Sequence, residues 1–302
     1  MVPSFLSFAG LYSGYIRRCF ARAGLFSQSI NIDNETTLHV WGPTNQATQK
    51  PSLVLIHGFG PMAMWQWREQ VQFLSPHFNL YVPDLIFFGE SNTRSKERSE
   101  KFQAASVGKL LEKLGVKKFH VAGTSYGGFV AYHLANMLGV EKVEKVVIAS
   151  SGVNMTKNHG LGLLERAKLD NIEDLMLPSS PKQLRKLITL AVSRRIHYVP
   201  DFFFNDFINK LYSENRKEKL ELLAGLSIGK NDTSNIPPLQ QEVLIIWGED
   251  DNIFPVQMAH ELKEVISKKA RLELIKDASH VPQLEKPAEF NTIILNFLKE
   301  AS

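Results

Sequence analysis

Cysteine is nearly absent. Cys19 stands alone among 302 residues, so no disulfide can form within the chain. No Cys-x-x-Cys or His-Glu-x-x-His occurs, and no cluster has metal-ligand spacing. No apolar run reaches the roughly 18 to 20 residues that a membrane span needs. Neither sign of charge dominates: 35 basic residues face 31 acidic ones, for a net charge of +4. The charges are interleaved, as in Arg216-Lys217-Glu218-Lys219, which reads as a solvated helix face and argues against nucleic acid as a partner. Internal repeats and low-complexity segments are also missing. What remains is a chain that is 44% hydrophobic, long enough for one large α/β core with no metal or disulfide staple.

Acid is missing from the N-terminus as well. None appears before Asp33, whereas Arg17, Arg18 and Arg22 do. Phe5, Phe8, Tyr12, Tyr15, Ile16 and Cys19 recur loosely at helical spacing, so residues 1–26 read as an N-terminal helical segment. The arginines follow the apolar part, which is the wrong order for a secretory signal peptide. Three readings stay open: a helix packed on the domain, a weak interfacial membrane helix through residues 1–22, and an organelle-targeting segment. The expected location is the cytoplasm, with membrane association or targeting as the alternatives. Oligomeric state is not legible.

From residue 27 the pattern alternates. Ser27–Ile32 and Thr36–Trp41 read as an antiparallel pair of strands. Ser52–Ile56 is a nearly continuous apolar run, as in a strand buried on both faces. A helix over 63–74, a strand at Asn79–Pro83, a helix over 101–114, a strand at Phe119–Ala122, a helix over 129–138 stopped by Gly139, and a strand at Val143–Ala149 follow. Strand signals then vanish, and helical stretches fill 161–169, 181–196, 201–212 and 216–226. They return at Glu242–Trp247 and Arg271–Ile275, with helices over 256–267 and 287–299. The expected fold is α/β: a mostly parallel sheet with helices on both faces. Its core is residues 27–150 and 239–302, with a helical cap inserted at 151–238.

In such sheets the carboxyl ends of the strands line the site. Three ends carry reactive side chains. After Phe119–Ala122 comes Gly123-Thr124-Ser125-Tyr126-Gly127, a G-x-S-x-G sequence between strand and helix. After Glu242–Trp247 come Gly248-Glu249-Asp250-Asp251, and after Arg271–Ile275 comes His280. A serine hydroxyl is a poor nucleophile near neutral pH. An imidazole must take its proton, and a carboxylate must hold that imidazole in the right tautomer. The order Ser, Asp, His fits that division of labour, although any of the three adjacent acids could serve.

On these residues the chain resembles the α/β-hydrolase superfamily, in its capped branch, over about residues 35 to 300. The resemblance rests on His57-Gly58-Phe59-Gly60 as an H-G-x-G loop, on the elbow at Gly123–Gly127, on G-x-x-D at Gly248–Asp251, and on His280 followed by Pro282 and Glu285. Within the superfamily the chain looks most similar to plant members related to monoacylglycerol lipases and to meta-cleavage-product carbon–carbon hydrolases. The resemblance implies Ser125 as nucleophile, Asp251 in preference to Asp250 and Glu249, and His280 as base. It implies backbone N–H groups of Phe59 and Tyr126 as oxyanion donors, and His57 as a structural brace. His120 and His133 read as packing or surface residues. One position departs from the family: Phe87 stands where a glycine is usual after Asp84, which predicts a bulkier, more apolar loop.

Apolar side chains suggest a substrate wall. Phe202, Phe203, Phe204 and Phe207 exceed what one helix face needs, and with Phe59, Met64, Trp65, Phe87 and Tyr126 they are candidates for an acyl or aryl pocket. Three functions follow: a serine hydrolase of lipophilic carboxylic esters needing no cofactor, a carbon–carbon bond hydrolase, or a ligand receptor on a hydrolase scaffold. Val281-Pro282-Gln283 after His280, where carbon–carbon hydrolases usually carry an aromatic, weakens the second. The expected partner is a small lipophilic ester, with no metal.

Overall fold

The computed structural model describes residues 7–44, 49–194, 199–234 and 236–300. It opens with helix α1 (Phe8–Arg22), strands β1 (Leu25–Asn31), β2 (Thr36–Pro43) and β3 (Ser52–Ile56), and short helices α2 (Ala63–Gln66) and α3 (Arg68–Leu74). Next come β4 (Asn79–Pro83), β5 (Asn92–Thr93), α4 (Glu100–Lys113), β6 (Phe119–Thr124), α5 (Tyr126–Lys142) and β7 (Val143–Ala149). Among the described residues five helices follow without a strand: α6 (Lys157–Ala167), α7 (Glu173–Met176), α8 (Pro181–Ala191), α9 (Asp201–Leu211) and α10 (Arg216–Gly225). The chain closes with β8 (Glu242–Gly248), α11 (Gln257–Ile266), β9 (Ala270–Ile275), α12 (Pro282–Glu285) and α13 (Pro287–Lys299).

The strands form one sheet in the order β1-β2-β4-β3-β6-β7-β8-β9, with β5 beside β2. The β1–β2 and β2–β4 pairs are antiparallel; every neighbouring pair from β4 to β9 is parallel. Strand β3 shows why the sheet is covered twice. Its side chains alternate with period two, so Leu53 and Leu55 join Phe20, Leu74 and Phe290 on one face. Val54 and Ile56 join Leu110, Val130 and Leu262 on the other. Each such side chain, once buried, contributes roughly 1.5 to 3 kcal/mol. That is why a nearly continuous apolar run belongs in the centre of this sheet.

Helix boundaries moved where tertiary packing outweighed pattern. The expected helix over 63–74 is divided at Trp67, which leaves helical angles (φ −108°, ψ 13°) and is fully buried beside Phe290. Helix α5 begins directly after the elbow and loses helical geometry at Gly139 (φ 65°, ψ −176°), the expected stop. Helix α8 ends at Ala191; Ile196, to which it was expected to run, lies outside the described residues.

Helix α1 packs on the domain. Ile16 and Phe20 are buried, Phe20 lies edge-on to Trp41 with centroids 5.2 Å apart, and the Ala9 N–H donates to Asp206 Oδ2 at 2.9 Å. Among the described residues no helix is long and apolar enough to cross a membrane.

The return from the inserted helices to the core is tied down by Glu100. This side chain is fully buried at the start of α4 and accepts hydrogen bonds from the amides of Ser227 (3.0 Å) and Ile228 (3.2 Å) and from the Ser227 hydroxyl. His133 Nε2 lies 3.4 Å away. Burial alone pushes the Glu100 carboxyl up, but the bonds from His133 and Ser227 override it and hold the group at about 2, against an ordinary 4.5. A carboxyl lowered on folding stabilises the native state above its unfolded value and loses that contribution as pH falls through the folded one. The shift corresponds to about 3 kcal/mol. Glu100→Gln is therefore expected to cost about that much at pH 7, with the gap to wild type narrowing as pH drops from about 4.5 towards 2. Urea unfolding at pH 7 and pH 3 checks this; an equal gap at both values would refute it.

Candidate active site

Strand β6 ends at Thr124 and α5 starts at Tyr126, leaving one residue to turn the chain. Ser125 does so at φ 52°, ψ −122°, a conformation that costs a non-glycine residue about 1 to 3 kcal/mol. Neighbouring backbones close in around it. A Cβ at Gly123 would sit 2.1 Å from the Gly127 carbonyl oxygen, and one at Gly127 would sit 2.3 Å from that of Ile56. The turn is pinned by main chain: the Ser125 N–H donates to Ala149 O at 2.9 Å, and the Ser151 hydroxyl donates to Ser125 O at 2.6 Å. The hydroxyl of Ser125 is left pointing off the sheet.

Two further loops meet it. His280 Nε2 lies 2.9 Å from Ser125 Oγ, and His280 Nδ1 lies 2.9 Å from Asp251 Oδ2. The other carboxylate oxygen of Asp251 accepts the amides of Ile253 (2.8 Å) and Phe254 (2.9 Å), so this carboxylate is oriented on both sides. A carboxylate only accepts, which places a proton on Nδ1 and leaves Nε2 free to take one from the serine. Asp251 is buried while Glu249 and Asp250 are exposed, so one of the three adjacent acids reaches the histidine. Glu285 holds the His280 loop, accepting from the Ser279 amide at 2.7 Å and, through its other oxygen, from the Ser193 amide and hydroxyl at 2.8 Å each.

The His57–Gly60 loop lies directly against the serine. A Cβ at Gly58 would come within 2.9 Å of Ser125 Cβ. His57 is fully buried. Its Nδ1–H donates to Gly58 O at 2.8 Å and its Nε2 accepts from the Leu85 amide at 2.9 Å. Burial pushes its pKa down, consistent with a neutral ring that braces the loop. Gln66 is a second brace that the sequence did not reveal. It accepts from the Gly58 amide at 2.8 Å and donates to the carbonyls of Gly58 (3.0 Å) and Pro61 (2.6 Å). Nothing in the local pattern marks it, because its partners are backbone groups. Among the described residues the amides of Phe59 and Tyr126 have no hydrogen-bond partner.

A cavity of about 400 Å³ stands over Ser125 and His280. The core supplies Phe59 and Trp65; the inserted helices and their connections supply Leu187, Ile188, Phe207 and Tyr212. Of the expected wall residues, Phe59, Trp65 and Phe207 are there and the others are not. Met64 faces a different cleft, with Trp41 and Asp84. Phe87 is buried in the core with φ 73°, clamped by the Arg98 guanidinium 4.7 Å from its ring and by Asn215 Nδ2, which donates to its carbonyl at 3.2 Å. The positive φ fits the glycine usual at that position, and the phenylalanine keeps it by anchoring its ring. Phe202 is exposed against Phe8 and Phe203, because it falls on the outer face of α9. Phe203 and Phe204 line a separate cavity. Tyr126 turns its ring between Phe59 and Phe129; burial first, then the charge of Glu100, raises the pKa of its hydroxyl. Tyr212 was not legible in the sequence. Its hydroxyl reaches the oxyanion loop, 3.5 Å from where a Cβ of Gly60 would lie.

A mostly parallel sheet with an elbow serine, a buried acid and a histidine on three strand ends is the architecture of an α/β-hydrolase. Residues 51–287 match the family model described as alpha/beta hydrolase fold, and the chain belongs to that family. It is 26% identical over 261 residues to monoacylglycerol lipase ABHD6 of Bos taurus, covering 82% of this chain and 75% of the relative. It is 26% identical over 260 residues to pimeloyl-[acyl-carrier protein] methyl ester esterase of Vibrio vulnificus, covering 82% and 94%. The solved 2-hydroxy-6-oxo-6-phenylhexa-2,4-dienoate hydrolase of Rhodococcus sp. strain RHA1 superposes with a TM-score of 0.72 over 91% of this chain and 99% of that one. At 22% identity that likeness speaks for the fold alone.

Proposed function

We propose that the chain is a serine hydrolase of lipophilic carboxylic esters. The observation that carries this reading is the unbroken hydrogen-bond chain from Asp251 through His280 to Ser125 at the floor of a largely apolar cavity. In the reaction His280 Nε2 takes the hydroxyl proton as Ser125 Oγ attacks the ester carbonyl. Asp251 stabilises the imidazolium that results. The Phe59 and Tyr126 amides donate to the oxyanion, which is the position where charge develops. His280 then gives its proton to the leaving alcohol, an acyl-enzyme remains, and water, deprotonated by the same histidine, releases the acid.

Both sequence relatives named above are ester hydrolases by name, which supports the choice of bond. A carbon–carbon hydrolase would have to hold a carboxylated dienol. Among the described residues the cation in this cavity wall is Arg68, which already contacts the Trp65 carbonyl and Glu69, the latter at 3.3 Å. A p-nitrophenyl ester panel from acetate to laurate tests the reading. Turnover with saturable kinetics is expected; its absence across the whole panel would count against an ester substrate.

A further inference from the structure

Behind Trp65 and Phe207 lies a second cavity, of about 310 Å³. Ala9 and Tyr12 of α1, Ile188 of α8, and Phe203 and Phe204 of α9 line it. Among the described residues the one charged side chain on its wall is Asp206, which accepts from the Ala9 amide at 2.9 Å. The cavity's lining is almost wholly apolar, and apolar cavities take up apolar molecules, so a space of this size and lining suits hydrocarbon.

This cavity is not isolated from the chamber over Ser125. The two share Trp65, Leu184, Ile188 and Phe207 as a common wall. The two rings of that wall are held differently. Trp65 is fixed: its Nε1–H donates to Ser13 Oγ at 3.1 Å, and Ser13 in turn donates to Ala9 O at 2.8 Å. Tyr12 also lies edge-on to the indole, 5.1 Å away. Phe207 is half-buried at the edge of the core and packs without a hydrogen bond, its ring 5.3 Å from Trp65 and 6.2 Å from Tyr212.

Resting on the ester-hydrolase reading, we propose that the second cavity seats the distal end of a long, unbranched acyl chain whose ester carbonyl lies at Ser125. Phe207 is the movable partition. Helix α1 thereby becomes part of the substrate site, because Ala9 and Tyr12 close the far side of the chamber.

The test compares p-nitrophenyl laurate with p-nitrophenyl acetate on the full chain and reads the ratio of their kcat/KM values. Ala9→Leu fills the second cavity and is expected to lower the laurate-to-acetate ratio by about tenfold or more. Phe207→Ala removes the partition and is expected to raise that ratio; adding Ala9→Leu to it should cancel the gain. Phe203→Trp narrows the same space from the half-buried side of α9 and serves if Ala9→Leu does not fold. A ratio unmoved by a folded filling variant, or a Phe207→Ala gain that survives filling, would overturn the proposal. Loss of acetate hydrolysis in the wild type would instead defeat the ester reading itself, so the two failures are distinguishable.

Discussion

Ser125→Ala is expected to lower kcat for a soluble ester by about five to six orders of magnitude, equivalent to about 7 to 8 kcal/mol of barrier, while the protein stays folded. The size follows from losing the nucleophile: the residual rate comes from water attacking a carbonyl that the cavity and the two amides still position. The fold should survive because the strained turn is held by main chain. The Ser125 N–H to Ala149 bond and the Ser151 hydroxyl bond to Ser125 O both remain in the variant. Alanine adds no bulk beside Gly58, whose missing Cβ makes room for that of residue 125. A thermal melt recorded with the kinetics separates lost chemistry from lost protein. A variant that keeps wild-type turnover would show that the nucleophile is elsewhere.

Asp251→Asn is expected to cost about four orders of magnitude in kcat, and Asp250→Asn far less. The asparagine oxygen would still accept the amides of Ile253 and Phe254, as Asp251 Oδ1 does. Its NH2 group would then face His280 Nδ1, where Asp251 Oδ2 now sits at 2.9 Å. Nδ1 must then accept, the ring proton moves to Nε2, and the nitrogen beside Ser125 Oγ can no longer take the hydroxyl proton. Asp250 is exposed, so its replacement changes only a screened surface charge. Matched kcat values for the two variants would contradict this assignment of the acid, and a larger loss at position 250 would transfer it.

The fold was legible because its strongest signals are local. Leu53–Ile56 is apolar at every position, and a strand buried on both faces is its only economical use in an alternating chain. The elbow was legible for the same reason: glycines two residues either side of a serine report how close the backbones of Gly123, Gly127 and Ile56 come. One-turn elements such as α7 and α12 are too short to carry a periodicity. The pocket was read less well, and the reason is geometric. Phe202 to Phe207 all look like candidate wall, but a helix sends neighbours in different directions. Phe207 faces Ser125, Phe203 and Phe204 the second cavity, and Phe202 solvent. Gln66 bonds backbone groups five and eight residues before it, and Tyr212 approaches Gly60 from the inserted helices; neither contact has a motif that announces it.

The most direct test of the central claim is covalent labelling with a fluorophosphonate, followed by peptide mass mapping. The account predicts one adduct, on Ser125 in the tryptic peptide spanning 119–142, appearing in step with loss of esterase activity and absent in Ser125→Ala. It also predicts labelling slowed by orders of magnitude in His280→Ala, because the unassisted hydroxyl is a weak nucleophile. Full ester turnover with Ser125 unlabelled, or an inactivating adduct on another residue, would contradict it.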